Sequence, residues 1–180
     1  EYIMPETLNL SVDDSGTETS PLLFKGEEGA MPVFYGGFFL NKFERISDSL
    51  WKTDVPQVRR YGWRFEQLYV NGSRAIRAQS PNVGFYKPVS VKETVIVNGD
   101  GRAPELAVQQ IKIPAEAANR IKNLNEEDLK DAVITFYHHW DNTKKPVQFY
   151  NAADTSIYIS GEGMKPWNPV TTASLFAIEN

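Results

Sequence analysis

The stretch Arg64-Phe65-Glu66-Gln67-Leu68-Tyr69-Val70-Asn71-Gly72-Ser73-Arg74-Ala75-Ile76-Arg77-Ala78 sets Asn-Gly between two runs of strand-forming residues. A two-residue type I′ turn needs positive φ at both central positions. Asparagine tolerates this and glycine adopts it freely, so Asn71-Gly72 predicts a tight β-hairpin. The turn length sets the register: Val70 opposes Ser73, Tyr69 opposes Arg74, Leu68 opposes Ala75, Gln67 opposes Ile76 and Glu66 opposes Arg77. Opposed residues share a face. Leu68, Val70 and Ala75 therefore line one side, with Glu66 and Arg77 expected to pair as ions at its end. Phe65, Tyr69 and Ile76 line the other. Apolar groups on both faces predict a hairpin sandwiched between other elements.

Outward from the hairpin, β signals dominate. Gln79-Ser80-Pro81-Asn82 reads as a turn, and Val89 to Val97 and Glu105 to Ile113 alternate as strands, the latter with Val108, Gln110 and Lys112 opposite Gln109, Ile111 and Ile113. Ala132 to Trp140 is a strand by its β-branched and aromatic content, and Gln148 to Asn151 and Thr155 to Ser160 are further strands. Pro114 suits the start of a short helix over Ala115 to Lys122. Asn125 before Glu126, Glu127 and Asp128 reads as an N-cap with an acidic first turn, favourable to the helix dipole and ending near Lys130. Towards the N-terminus, Leu8 to Val12, Leu22 to Phe24 and Met31 to Tyr35 are three short apolar runs stopped by glycine turns, either a meander or one rung of a parallel solenoid. Phe38 to Tyr61 is less regular. The expected fold is mainly β: a β-sandwich, or a sandwich joined to solenoid strands, with one or two short helices.

The chain has 180 residues, enough for a domain that buries roughly 70% of its unfolded surface. Its 19 basic and 23 acidic residues give a net charge of −4. The basic pairs Arg59-Arg60 and Lys144-Lys145 are isolated and read as solvated charges, so a nucleic-acid footprint is disfavoured. No apolar run approaches the about 20 residues needed to cross a bilayer. The sequence lacks cysteine, which removes thiolate chemistry and cysteine-based metal sites. His138 and His139 are the only histidines, and neighbours on a strand point to opposite faces, so neither a metal nor another cofactor is expected. The carboxylates of Asp13-Asp14, Asp100 and Glu126-Glu127-Asp128 are accounted for by turns and caps. With four Trp and eight Tyr in the chain, the rings of Trp63, Tyr86, Trp140 and Trp167 are candidates for stacking on sugars, the competing role being core packing. Glu1 is not an initiator Met, and the chain reads as a piece of a longer protein.

The hairpin stretch, followed by Pro81-Asn82 and Gly84-Phe85-Tyr86, resembles a recurring segment of secreted bacterial right-handed β-helix enzymes, family 141 of the glycoside hydrolases and relatives in gut Bacteroidetes. Leu8 to Gly37, with Asp14-Ser15-Gly16-Thr17 and Gly36-Gly37, is similar to the opening of their solenoid, and Phe176-Ala177-Ile178-Glu179-Asn180 to the point where it resumes. The resemblance implies residues 1–42 as first strands of a β-helix, 43–175 as an inserted β-sandwich-like domain, and 176–180 as the return towards the β-helix. It implies a parent enzyme that acts on oligo- or polysaccharide outside the cytoplasm, secreted, periplasmic or on the cell surface. The catalytic acids are expected on later rungs, so no catalytic residue is carried over. Arg74, Arg77 and Asn82 match the family segment and are either structural or cleft-facing. The expected role is an accessory or cleft-forming region that partners the rest of the β-helix and is inactive alone; the alternative is an autonomous carbohydrate-binding module, which exposed rings sharing one surface would favour.

Overall fold

The computed structural model describes residues 1–4, 6–62 and 65–180. The chain divides into two compact units, Glu1–Phe65 and Glu66–Asn180. The fold is mainly β, and its larger unit is sandwich-like.

The first unit has little regular structure. Strands β1 (Tyr2–Ile3) and β2 (Phe34–Tyr35) pair in parallel, Tyr2 beside Phe34 and Ile3 beside Tyr35. The Tyr2 and Phe34 rings stack across this pair with centroids 5.2 Å apart. Strands β3 (Glu44–Arg45) and β4 (Trp51–Lys52) form a small antiparallel pair. Helix α1 (Pro56–Tyr61) follows, opened by proline in its first turn and closed by Gly62 at φ 65°. Leu8 to Val12 and Leu22 to Phe24, expected as strands, are not. Ser11 instead caps a 3-10 turn over Val12–Asp14: its hydroxyl accepts from Asp13 N, and the Asp14 carboxylate accepts from Ser11 N at 2.8 Å. That local side-chain bonding competes with strand pairing. Among its described residues none is buried, and Val12, Leu23, Phe24 and Met31 are largely exposed.

The second unit carries the core. Its strands are β5 (Tyr69–Val70), β6 (Ser73–Arg74), β7 (Gln79–Ser80), β8 (Ser90–Val97) and β9 (Leu106–Lys112). Helices α2 (Ala115–Ile121) and α3 (Glu126–Asp131) come next. Then come β10 (Val133–Tyr137), β11 (Asn142–Pro146), β12 (Phe149–Asn151), β13 (Ser156–Gly161) and β14 (Leu175–Glu179). One sheet runs β11-β10-β14-β7 and the other β12-β13-β9-β8. Ile134, Phe136, Phe176 and Ile178 of the first sheet share one core with Ile111, Ile157 and Ile159 of the second. Ala117, Ala118 and Ile121 of α2 and Leu129 of α3 join it. Phe176 to Glu179 belong to β14, which is interior to its sheet. No helix among the described residues is long and apolar enough to cross a membrane.

Local signals explain several elements. Asn125 caps α3 as expected, its side chain accepting from Asp128 N at 2.8 Å. Gln109 and Ile111 point inward from β9 while Gln110 and Lys112 point out, the alternation expected for that segment. Three α-helices form among the described residues against the one or two expected, because α1 has no side-chain cap and no apolar stripe to announce it.

The hairpin forms in the expected register, Tyr69 against Arg74 and Val70 against Ser73, with Asn71 at φ 50° and Gly72 at φ 78°. Its environment differs from expectation. Tyr69 and Val70 are exposed, and Ile76 is 95% exposed, so the hairpin is not sandwiched. Nor do Glu66 and Arg77 pair. Glu66 accepts from Lys144 Nζ at 3.1 Å, and Arg77 Nε lies 3.3 Å from Glu179 Oε2. The register continues to Leu68 and Ala75, where Ala75 N donates to Leu68 O at 2.8 Å; Glu66 and Arg77 lie beyond that bond and reach separate partners.

Core packing rather than hairpin packing therefore carries the stability. Phe176→Ala should cost about 3–5 kcal/mol, because its ring is fully enclosed. Ile76→Ala should change stability by no more than about 0.5 kcal/mol. Urea unfolding of both variants checks the contrast.

Candidate functional site

β10 and β14 are antiparallel, with Tyr137 opposite Leu175. The end of β10 thus lies beside the start of β14, and the chain after Tyr137 emerges at the same end of the sheet as the chain before Leu175. Each of these connections presents a tryptophan on a tight turn. His139-Trp140 forms the tip of the β10–β11 hairpin, closed by His138 N donating to Asp141 O at 2.9 Å. Pro166-Trp167 forms the tip of a turn closed by Asn168 N donating to Lys165 O at 3.0 Å. Proline at the second position of such a turn holds φ at the value the turn requires. Trp140 is 66% exposed and Trp167 is 50% exposed.

One carboxylate joins the two turns. Asp141 Oδ1 accepts from Asn168 Nδ2 at 2.6 Å, and Asp141 Oδ2 accepts from Lys165 Nζ at 3.2 Å. Both ends of the Pro-Trp turn are therefore held by the residue next to Trp140. Asn168 is buried, its Oδ1 having no hydrogen-bond partner among the described residues. His138 Nε2 shares a hydrogen bond of 2.9 Å with Thr143 Oγ1, while its buried Nδ1 is likewise unpartnered there. The His139 and Trp140 rings lie roughly parallel, with centroids 6.3 Å apart.

The other expected ring positions differ from these. Tyr86 is a core residue: its ring packs against Phe176 at 5.4 Å and its hydroxyl shares a 2.8 Å hydrogen bond with Ser80. An enclosed ring offers no face to a sugar, so Tyr86 serves packing. Trp63 lies outside the described residues. Arg74 is an exposed member of β6, and Asn82 is exposed in the bend after β7. Arg77 reaches Glu179 and donates from Nε to Asn180 Oδ1 at 3.2 Å.

The pair Lys144-Lys145 is not simply solvated, because strand alternation sends the two ammonium groups to opposite sides of β11. Lys144 Nζ lies 3.1 Å from Glu66 and 3.3 Å from buried Glu179. Burial works to lower its pKa, but the bonds and charges of the two carboxylates outweigh it and the net shift is upward. The hydrogen bond from Lys144, then its charge, holds Glu66 below the ordinary carboxylate range. Glu179 Oε1 accepts from Thr135 Oγ1 at 2.8 Å, whereas Oε2 has its two cations at 3.3 Å without an aligned hydrogen bond. Lys145 turns inward, donating to Gln109 Oε1 at 3.3 Å and to Glu162 O. Gln109 donates to Glu93 at 2.6 Å, which also accepts from Met164 N at 2.8 Å. Burial pushes the Lys145 pKa down against the opposing charges of Glu93 and Glu162.

A glycosidase needs one carboxylic acid raised in pKa to protonate the leaving oxygen. Glu66 and Glu179 do converge, but on a lysine, and Glu66 is shifted the other way. No three His, Cys, Asp or Glu side chains among the described residues could hold a metal ion together. A depression of about 400 Å³ in the first unit is lined by Thr53, Asp54, Val55, Val58, Arg59 and Phe65. Its charges are already paired, Arg59 with Asp54 at 2.9 Å. The chain has no significant match among protein-family models, curated proteins or solved structures.

Asp141, Lys165 and Asn168 escape sequence reasoning because they meet only through tertiary structure. Pro166 beside Trp167 is the one local mark of a rigid, exposed ring.

The ion network sets two outcomes. Glu66→Gln should lower stability by about 0.2–1 kcal/mol near neutral pH, since the pair is solvent-exposed. Because the folded-state pKa of Glu66 is depressed, that difference is present above the ordinary carboxylate value and disappears as pH falls through the folded one. Arg77→Ala should cost about 1–3 kcal/mol, as it strips a partner from a buried carboxylate. Thermal unfolding from acid to neutral pH measures both.

Proposed function

We infer that this chain is a glycan-contacting, non-catalytic part of a secreted polysaccharide-active β-helix protein of the glycoside hydrolase type, where it shapes or walls the substrate cleft. The observation that carries the reading is the pair of exposed tryptophans, Trp140 and Trp167, on two turns fixed to each other by Asp141. Sugar rings present flat C–H faces, and an indole held in place stacks on them at little entropic cost.

The first unit supports the association with a β-helix. Its parallel β1–β2 pair, with Tyr2 stacked on Phe34 across 32 positions of sequence, has the form of one solenoid step. Its exposed Leu8, Leu10, Leu23, Phe24 and Met31 would be covered by further strands of such a parent. Catalysis is assigned to those other rungs, because the converging carboxylates here are clamped by Lys144.

The alternative reading, an autonomous carbohydrate-binding module, is favoured by one point: the tryptophan turns and the core beneath them both lie within Glu66–Asn180. Affinity electrophoresis and tryptophan emission, measured on the whole chain with soluble polysaccharides, test the proposal. Retardation by at least one polysaccharide, weakened about tenfold by Trp140→Ala or Trp167→Ala, is expected for a module. A change of emission only at high polysaccharide concentration, abolished in the same variants, is expected for a cleft wall. No response to any polysaccharide at any concentration would overturn both forms.

A further inference from the structure

We propose that the Trp140–Trp167 surface selects uncharged sugars, and that Asp141 is the positioning residue that both orders the two turns and enforces this selectivity. The inference rests on the glycan reading above and adds the ligand class and the residue that sets it. From His138 to Thr143 and from Gly163 to Phe176 the only charged side chains are Asp141 and Lys165. They pair with each other at 3.2 Å. The two turns that carry the tryptophans therefore present no uncompensated charge, and Glu162, at the start of the second connection, sets its charge against Lys145. A uronate or sulfate would need a free cation, and Lys165 is already committed to Asp141. A cationic sugar would need a free anion, and the Asp141 carboxylate is filled by Lys165 Nζ on one oxygen and by Asn168 Nδ2 on the other. What remains is apolar ring surface with neutral hydrogen-bonding groups, which suits hydroxyl-bearing, uncharged sugars.

The same carboxylate also removes motion. Asp141 grips residues at both ends of the Pro166-Trp167 turn while standing next to Trp140, so the backbones carrying both rings are ordered before a ligand arrives. Rings ordered in advance lose less entropy on binding.

Two substitutions separate the roles. Asp141→Asn keeps an oxygen for Asn168 Nδ2 but frees the Lys165 ammonium. Asp141→Ala removes the clamp altogether. Binding of the whole chain is measured at low ionic strength to neutral galactomannan, xyloglucan and arabinoxylan and to acidic polygalacturonate and chondroitin sulfate, with thermal unfolding and tryptophan anisotropy as folding and mobility controls. The expected result is preference of the wild type for a neutral polymer, by about tenfold or more over either acidic one. Asp141→Asn should gain affinity for polygalacturonate, a change that mere loss of structure cannot produce. Asp141→Ala should weaken neutral binding about threefold to tenfold and lower tryptophan anisotropy. Preference of the wild type for an acidic polymer, or no gain in Asp141→Asn when its melting temperature is retained, overturns this inference and leaves the glycan reading standing. Absence of binding to all five polymers overturns both.

Discussion

The antiparallel pairing of β10 with β14 organises the second unit. It joins residues about forty positions apart in sequence and makes Phe136 and Phe176 direct neighbours, their ring centroids 5.7 Å apart in the shared core. Because Tyr137 faces Leu175, it also fixes which ends of the two strands coincide. That coincidence, rather than any local property of either loop, brings the His139-Trp140 and Pro166-Trp167 turns within reach of one carboxylate. A hydrogen bond of 2.6 Å between Asp141 and Asn168 can form only once the sheet has set this geometry. The candidate site is thus a consequence of sheet order, stiffened afterwards by short polar contacts.

Polar groups elsewhere in the unit follow the same logic of placement by strand alternation. Lys144 and Lys145 are consecutive, yet one crosses to Glu66 and to Glu179 on the face of the first sheet turned away from the core, and the other enters the space facing Gln109 of the second. Their pKa values move in opposite directions for that reason: two carboxylates hold the proton on Lys144, and burial works to remove it from Lys145. The inward group bridges the sheets through Gln109 and Glu93, so a polar chain replaces apolar contact at that edge of the sandwich. Every member of it is hydrogen-bonded, which is the condition for such a chain to be tolerated in a core.

The first unit poses the opposite physical situation. Residues 1–65 carry many large apolar side chains, and none of its described residues is buried. Apolar surface on this scale gains free energy when it is covered. A parallel pair of strands cannot close by a two-residue turn and needs a long connection, here the thirty or so residues between Ile3 and Phe34. That connection returns the chain to the side of its own start, with the rings of Tyr2 and Phe34 stacked.

Much of this architecture was legible before any coordinates. Asn71-Gly72 determined the hairpin and its register, because only positive φ at both positions closes so short a loop. Alternation determined the strands around Val91 and Ile111, and Asn125 with its three acidic followers determined the start of α3. The exposure of a ring was beyond sequence: Tyr86 and Trp140 look alike as aromatic residues near strand ends, yet one is enclosed by Phe176 and the other stands on a turn. The partners of charged residues were beyond it too. Register placed Glu66 across from Arg77, but both lie beyond the backbone bond from Ala75 N to Leu68 O, and each reaches a charge contributed by a distant strand. Local backbone preferences act over a few residues and can be read along the chain; burial and ion pairing depend on which distant segments arrive at the same place, and only the packed sheets decide that.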